Sequence, residues 1–286
     1  MARPAAWFLL CASLSFALAS ACCKEQVPPP TTGPVALPTG PLYRLTEPDV
    51  DRVLRDLVAR EPDLRQRVVT IARRFVGQPY KLGLLGEGGA EPYDRDPLYC
   101  LTASDCVTFV EQVYALALSN SWTDFLPTLN RIRYRNGEIS IRTRNHFTEA
   151  DWNINNAWLF DDITKTLAHG RAHVPLRQRV NRKAFFRKLG LVVDTPDENF
   201  AGAYIPRRNI DALLPELRDA DVAEIVRGTT AAPYVSHMGL IAHDAAGRVT
   251  FIHSGDPAVR EVPLRDYLAK NSRVIGMKFL RPRSPQ

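Results

Sequence analysis

Ser104-Asp105-Cys106-Val107-Thr108-Phe109-Val110-Glu111-Gln112-Val113-Tyr114-Ala115-Leu116-Ala117-Leu118 is the stretch from which the architecture can be read. From Cys106 onward it predicts one uninterrupted helix. Apolar side chains surround most of its circumference, so the helix belongs inside the protein rather than on its surface. Its first residue is a cysteine. A thiol there lies at the positive end of the helix dipole, which favours the thiolate. The unpaired N–H groups of the first turn can also receive a developing oxyanion. A nucleophile requires both properties. A buried inert thiol or one half of a disulfide has the same sequence appearance.

Upstream, Thr46 caps a helix with Pro48 in its first turn, and Val50, Val53, Leu54, Leu57 and Val58 recur at helical spacing. A second helix is predicted from Pro62 to Val76 and is closed by Gly77. Gly77-Gln78-Pro79-Tyr80 then leads into an irregular stretch reaching Thr102, rich in Gly, Pro, Asp and Tyr. A loop of that length in a compact domain is commonly functional.

Downstream, Ile132-Arg133-Tyr134, Asn136-Gly137 and Glu138 to Arg142 predict a hairpin with its turn at Asn-Gly. Periodicity is weak from there to Pro233. Ser236 to Ala242, the turn Asp244 to Gly247, and Arg248 to His253 predict a β-hairpin, and Gly276 to Leu280 a last strand. Helices come first and strands last, which indicates an α+β class with an antiparallel sheet.

A thiolate nucleophile requires a base that later protonates the leaving amine, and histidine suits both steps. Six histidines are present. His237 stands at the start of one hairpin strand and His253 at the end of the other, so antiparallel pairing brings them to one end of the sheet. One can then act as base while the other orients it.

The ends of the chain concern location. Arg3 precedes an apolar run over residues 5–18, followed by Ala19-Ser20-Ala21, which together predict a signal peptide over 1–21. Cys22 follows directly and is a candidate for lipid attachment; simple cleavage after Ala21 is the alternative. Residues 22–42 form a tether, with six prolines between Val27 and Pro41. The domain proper is 43–286, with a central insertion at about 121–230. The chain is therefore expected to be exported to the periplasm or cell envelope. The formal charge of +6 falls to +5 without Arg3, which fits a polyanionic wall or membrane surface. No basic run with interleaved aromatics indicates nucleic acid. Five cysteines reduce to Cys100 and Cys106 in the mature domain. In an oxidising compartment a bridge between them is the structural rival to catalysis.

Four features stand in order: Gly77-Gln78-Pro79-Tyr80, Asp105-Cys106, His237-Met238-Gly239-Leu240-Ile241 and Phe251-Ile252-His253. Together they resemble the NlpC-type cell-wall cysteine peptidases, which have a papain-like fold. Within that superfamily the chain is most similar to the N-acetylmuramoyl-L-alanine amidase-like branch. That similarity rests on Asp105 to Glu111 with Ala115 to Ala117, Ile132 to Tyr134 with Gly137, and Arg144-Asn145-His146-Phe147 with Asp151-Trp152. The resemblance implies Cys106 as nucleophile, His237 as base and His253 as orienting residue, with Tyr80 and Asp105 lining the site. It implies hydrolysis of the amide between N-acetylmuramic acid and L-alanine, with peptidoglycan or a muropeptide as substrate and no metal or organic cofactor. Asn145, His146, Trp152 and Ser236 are candidates for substrate binding, since aromatics and neutral donors suit saccharides. Two features depart from the pattern: the long loop between Tyr80 and Cys106, which puts the reach of Tyr80 in question, and Cys100 within it. An endopeptidase cutting the D-glutamyl–diaminopimelate bond is the near alternative. A non-catalytic wall-binding lipoprotein is the distant one. His169 and His173 are four residues apart, a spacing that binds metal on a helix, but no third ligand accompanies them, so a solvated face is expected.

Overall fold

The computed structural model describes residues 36–170, 173–193 and 196–283. The signal peptide, Cys22 and most of the tether lie outside the described residues. The last residues of the tether are held against the domain, because the Arg74 guanidinium donates to the carbonyls of Pro38 at 2.8 Å and Gly40 at 2.7 Å.

The helices in chain order are α1 (Glu47–Arg60), α2 (Leu64–Arg74), α3 (Cys106–Leu118), α4 (Trp122–Arg133), the single turn α5 (Asn153–Asn155), α6 (Thr164–Ala168), α7 (Arg182–Lys188), α8 (Arg207–Ile210) and α9 (Leu264–Lys270). Local chemistry explains where the first three begin. Thr46 Oγ1 accepts from the Asp49 N–H, Asp63 caps α2, and Asp105 caps α3. Of the buried helices α3 is the most enclosed, with Phe109 through Ala117 all removed from solvent. Among the described residues no helix is long and apolar enough to cross a membrane.

The strands are β1 (Phe160–Asp162), β2 (Val174–Val180), β3 (Glu198–Pro206), β4 (Val222–Gly228), β5 (Pro233–His243), β6 (Val249–His253), β7 (Arg260–Pro263) and β8 (Gly276–Pro282). They pair antiparallel throughout, in the order β2-β3-β8-β4-β5-β6-β7, with β1 against β8. The stretch 121–230 thus supplies β3 and β4 to the same sheet as the C-terminal hairpin.

Side chains alternate across the sheet. Val222, Met238, Leu240, Ala242, Ile252 and Leu280 pack with α1 to α4 in one core. Ala223, Ile225, Ile241, Phe251, Met277 and Phe279 pack with α9 in a second. Helices cover both faces, so β4 carries a nearly continuous apolar run rather than an alternating one. That is why periodicity did not reveal it.

The hairpin expected at residues 132–142 is absent. Phe125, Leu129 and Ile132 recur at helical spacing and are buried against the first core, so the segment up to Arg133 is α4. Asn136 and Gly137 do turn the chain, both with positive φ (58° and 74°), as an Asn-Gly pair allows. The turn follows a helix, and only one bridge pair, Tyr134 with Arg144, closes it.

Candidate active site

Asp105 Oδ1 accepts from the N–H groups of Val107 at 3.1 Å and Thr108 at 2.8 Å, while Thr108 Oγ1 accepts from the Asp105 N–H at 2.9 Å. This reciprocal cap sets Cys106 as the first residue of α3. Asp105 therefore holds the helix terminus, with its carboxylate close enough to act on the Cys106 thiol. Cys106 and Cys100 are both free thiols, and Cys100 Sγ lies 3.3 Å from Thr102 Oγ1.

Gly77-Gln78-Pro79-Tyr80 threads between the cysteine segment and the loop after β6. On one side the Ser104 N–H donates to Pro79 O at 3.1 Å and the Lys81 N–H to Ser104 O at 3.0 Å. On the other, Tyr80 N–H donates to Pro257 O and Gly77 N–H to Val259 O, each at 2.9 Å. Gln78, wholly buried, donates to Leu101 O at 2.7 Å and accepts from Ser104 Oγ at 2.6 Å. Ser254 Oγ donates to Ser104 O at 2.8 Å. The residue two before the cysteine is thus tied to the residue one after His253. Tyr80 pairs with Ser104 in a parallel bridge two residues before Cys106, and burial, then Cys106, push its phenol pKa up.

His237 and His253 meet at 2.9 Å, Nε2 to Nδ1. His253 ends β6 as expected. His237 stands within β5, four residues after its start at Pro233, where a register shift between Ile225 and Val226 interrupts the β4–β5 ladder. Gly239 lets the two strands close here, because a Cβ on it would come within 2.6 Å of Ile252 O and 2.8 Å of His253 Cβ. Phe251 stacks on His253 at 4.8 Å, and Tyr267 of α9 lies 5.1 Å from the His253 ring and 6.4 Å from that of His237.

That aromatic enclosure governs the electrostatics. Burial lowers the His237 pKa to about 4, assisted by Arg227 and Arg260. Burial, then His237 and Arg260, lower His253 to about 3. Both rings are neutral near pH 7, so one donates and the other accepts. Cys106 departs from the sequence expectation. Burial and the Asp105 carboxylate push its thiol up to about 11, outweighing the N–H groups of Met238, Val107 and Cys106 that favour the thiolate. A helix terminus lowers a thiol pKa only by what desolvation leaves over. Cys106 packs against the core that includes Met238, and the Met238 N–H is among the groups favouring the thiolate, which places the cysteine beside the histidine strand.

The other sequence candidates lie elsewhere. Ser236 Oγ donates to Ile225 O at 3.2 Å, inside the sheet. Asn145 donates to Ile132 O at 2.9 Å and accepts from Asn155 at 2.6 Å, which stitches the segment after α4. His146 bonds Ile141 O at 2.6 Å, packs on Phe185 and Phe186, and lines a cavity with Arg142, Asp151 and Arg182. Trp152 is 1% exposed, stacked on Phe160, and donates to Glu111 Oε1 at 3.0 Å. Its ring has no open face for a sugar, which corrects the subsite expectation. Glu111, 3% exposed, is structural: it accepts from the Trp152 indole. His169 is the left-handed residue ending α6 and pairs with Glu216, and His173 lies beyond that helix, so the two do not share a helical face. Tyr267, Arg227 and Arg260 were missed. Nothing in their local sequence marks them, since only the sheet brings them to the histidines.

The model of the AmiA-like family, described as N-acetylmuramoyl-L-alanine amidase-like, matches residues 70–277. The chain belongs to this family. Among solved structures, a protein from Legionella pneumophila is 25% identical, with a TM-score of 0.70, covering 83% of this chain and 96% of that one. An N-acetylmuramoyl-L-alanine amidase from Bacteroides uniformis is 23% identical, with a TM-score of 0.61, covering 77% of this chain and 99% of that one. A comparison with curated proteins finds no match. The family match spans α3, the histidine pair and the Gly77–Tyr80 segment from Gly77 onward. The matched span holds the residues described above, and membership in an amidase-like family points to a peptidoglycan hydrolase.

Proposed function

We propose that this protein is a cysteine amidase that hydrolyses the bond between N-acetylmuramic acid and L-alanine in peptidoglycan or its fragments. The observation that carries the reading is the thiol at the head of α3, packed with the core that includes Met238, next to a His237 ring bonded to His253. The scaffold is read as papain-like of the NlpC type, in which a helix-opening cysteine meets a strand-borne histidine. Export and a lipid anchor at Cys22 rest on the leader and tether sequences.

In the proposed reaction Cys106 Sγ attacks the lactyl carbonyl carbon as its proton passes to His237. The oxygen takes up negative charge in reach of the Cys106 N–H. His237 then returns the proton to the alanine nitrogen, and the C–N bond breaks. Water attacks the resulting thioester, giving one proton to His237, and the thiol is regenerated. A resting thiol and a neutral imidazole are suited to this path, because attack and proton transfer occur together and neither buried charge must persist alone.

Digesting defined muropeptides and reading the products by mass tests the bond. The expected products are a free muramic saccharide and a peptide with an L-alanine amino terminus. A cut between D-glutamate and the diamino acid would establish the endopeptidase reading instead. An unchanged substrate with an oxidised thiol that does not alkylate without reductant would leave only wall binding.

The pH profile tests the base. His237 must be neutral to accept the proton, and its pKa lies at about 4, below the ordinary 6.5. The kcat/KM of the free enzyme is therefore expected to hold level down to roughly pH 5 and to fall about tenfold per unit below pH 4. An acid limb centred near 6.5 would mean a solvated imidazole and would sink the enclosed-base assignment.

A further inference from the structure

A cavity of about 370 Å³ opens over the same sheet face that carries α3, between β3, β8 and the turn of α5. Glu149, Asn153, Asp162, Phe200 and Lys278 line it. Glu224, wholly buried, stands directly behind, opposite Lys278 on β8 and opposite Met238 on β5. Three carboxylates therefore face one ammonium. Lys278 Nζ lies 3.5 Å from Glu224 and 3.7 Å from Asp162. Even so, Glu149 Oε1, Glu224 Oε1 and Asn153 Oδ1 are buried without a donor. Glu149 is 3% exposed, so its free oxygen is an unpartnered buried acceptor in the cavity wall. Buried polar atoms normally find partners, and three orphaned acceptors at one place call for a donor.

We propose that this cavity is the subsite for a primary ammonium group on the substrate, the side-chain amine of a diamino acid in the peptide. The inference rests on the amidase reading above. An ammonium brings donors and one positive charge, which suits the orphaned acceptors of Glu149 and Asn153 in the cavity wall and the excess of carboxylates around Lys278. A metal ion fits less well: among the described residues no group of His, Cys, Asp and Glu gathers to hold one. Burial pushes Glu224 up to about 7 and Glu149 upward as well, a cost that a bound cation relieves.

Position also agrees. Lys278 and Met238 flank Glu224 on neighbouring strands, so the cavity floor lies roughly 10 Å from the strand that meets the thiol, two strand spacings away. Three extended residues also span roughly 10 Å, so a peptide whose first amide lies at Cys106 is long enough for its third residue to come to this floor. The N–H of Val235, two residues before His237, is among the groups that favour the Glu149 carboxylate, which sets the cavity wall beside the histidine strand.

The test uses the Cys106→Ala protein, so that binding is read without turnover, and two probes differing at one atom group. These are N-acetyl-L-alanyl-γ-D-glutamyl-L-lysine and the same peptide acetylated on Nε. Calorimetry is expected to show the free-amine probe binding at least about tenfold more tightly, roughly 1.4 kcal/mol. Glu149→Gln and Asp162→Asn, made separately in that background, should each narrow the gap; Asp162 is partly exposed and its variant guards against a misfolded Glu149 variant. Equal binding of the two probes, or no binding of either, overturns the subsite. Muropeptide digestion by the wild-type protein separates the two ideas. Cleavage of both free and acetylated substrates at equal kcat/KM leaves the amidase standing and removes the subsite. A preference in binding with no cleavage removes the amidase and leaves an ammonium-binding cavity.

Discussion

Cys106→Ala is expected to lower kcat/KM for the muramoyl–alanine amide by about 10⁴-fold or more, with the fold unchanged. Cys106 opens α3 through the cap of Asp105, and that cap uses backbone N–H groups, the Asp105 carboxylate and Thr108 Oγ1. The substitution removes none of them. The sulfur is desolvated but the residue keeps partial exposure, and alanine removes a single atom, so the change in stability should stay within about 1 kcal/mol. Thermal unfolding of the variant checks that the loss is chemical. Cys100→Ser serves as the control, because Cys100 contacts Thr102 in the loop and remains unbridged. A folded Cys106→Ala protein with substantial turnover would remove the nucleophile assignment. Loss of activity in Cys100→Ser would show that the loop thiol matters in a way its contacts do not explain.

The second large effect separates the two histidines. His237 exchanges its proton with sulfur and then nitrogen, so His237→Ala should cost about 10³-fold or more in kcat/KM, close to the loss at Cys106. His253 acts through its neighbour. With His253 held neutral by burial at a pKa of about 3, its Nδ1 can accept a hydrogen from His237 Nε2. That bond leaves the other nitrogen of His237 with the lone pair a base requires, and it steadies the imidazolium once formed. An asparagine oxygen can accept the same hydrogen. His253→Asn is therefore expected to stay within about tenfold of wild type, while His253→Ala loses about 10²-fold. The enclosure by Phe251 and Tyr267 makes the alanine variant worse, since water entering the gap would also raise the pKa of His237 toward its ordinary value. The acid limb of the His253→Ala profile should accordingly move upward. Full activity in His253→Ala would place the orienting group elsewhere. A mild His237→Ala beside a severe His253→Ala would exchange the two roles.

What could be read from residues alone was whatever a few neighbours decide. Thr46 and Asp105 announce the starts of α1 and α3 because a cap needs only the next three residues. The turn from Asp244 to Gly247 joins β5 to β6 by local chemistry, and alternation in the flanking strands set which ends meet. Hence Cys106, His237 and His253 were nameable before any fold was known. The tertiary structure decided what depends on distant partners. Ile132 to Arg133 became helix because Phe125, Leu129 and Ile132 find a core beneath them, which an Asn-Gly turn cannot reveal. β4 escaped notice because both of its faces are covered, and burial on two sides erases alternation. Trp152 became core rather than platform through Phe160 and Glu111, eight and forty-one residues away. The protonation states are tertiary too. The helix dipole at Cys106 is a local property, but Asp105, Met238 and the surrounding burial set the thiol at about 11. Phe251 and Tyr267 likewise enclose a histidine pair that sequence could only bring to the same end of a sheet. Desolvation depends on everything within several ångströms in space, and only the folded chain defines that neighbourhood.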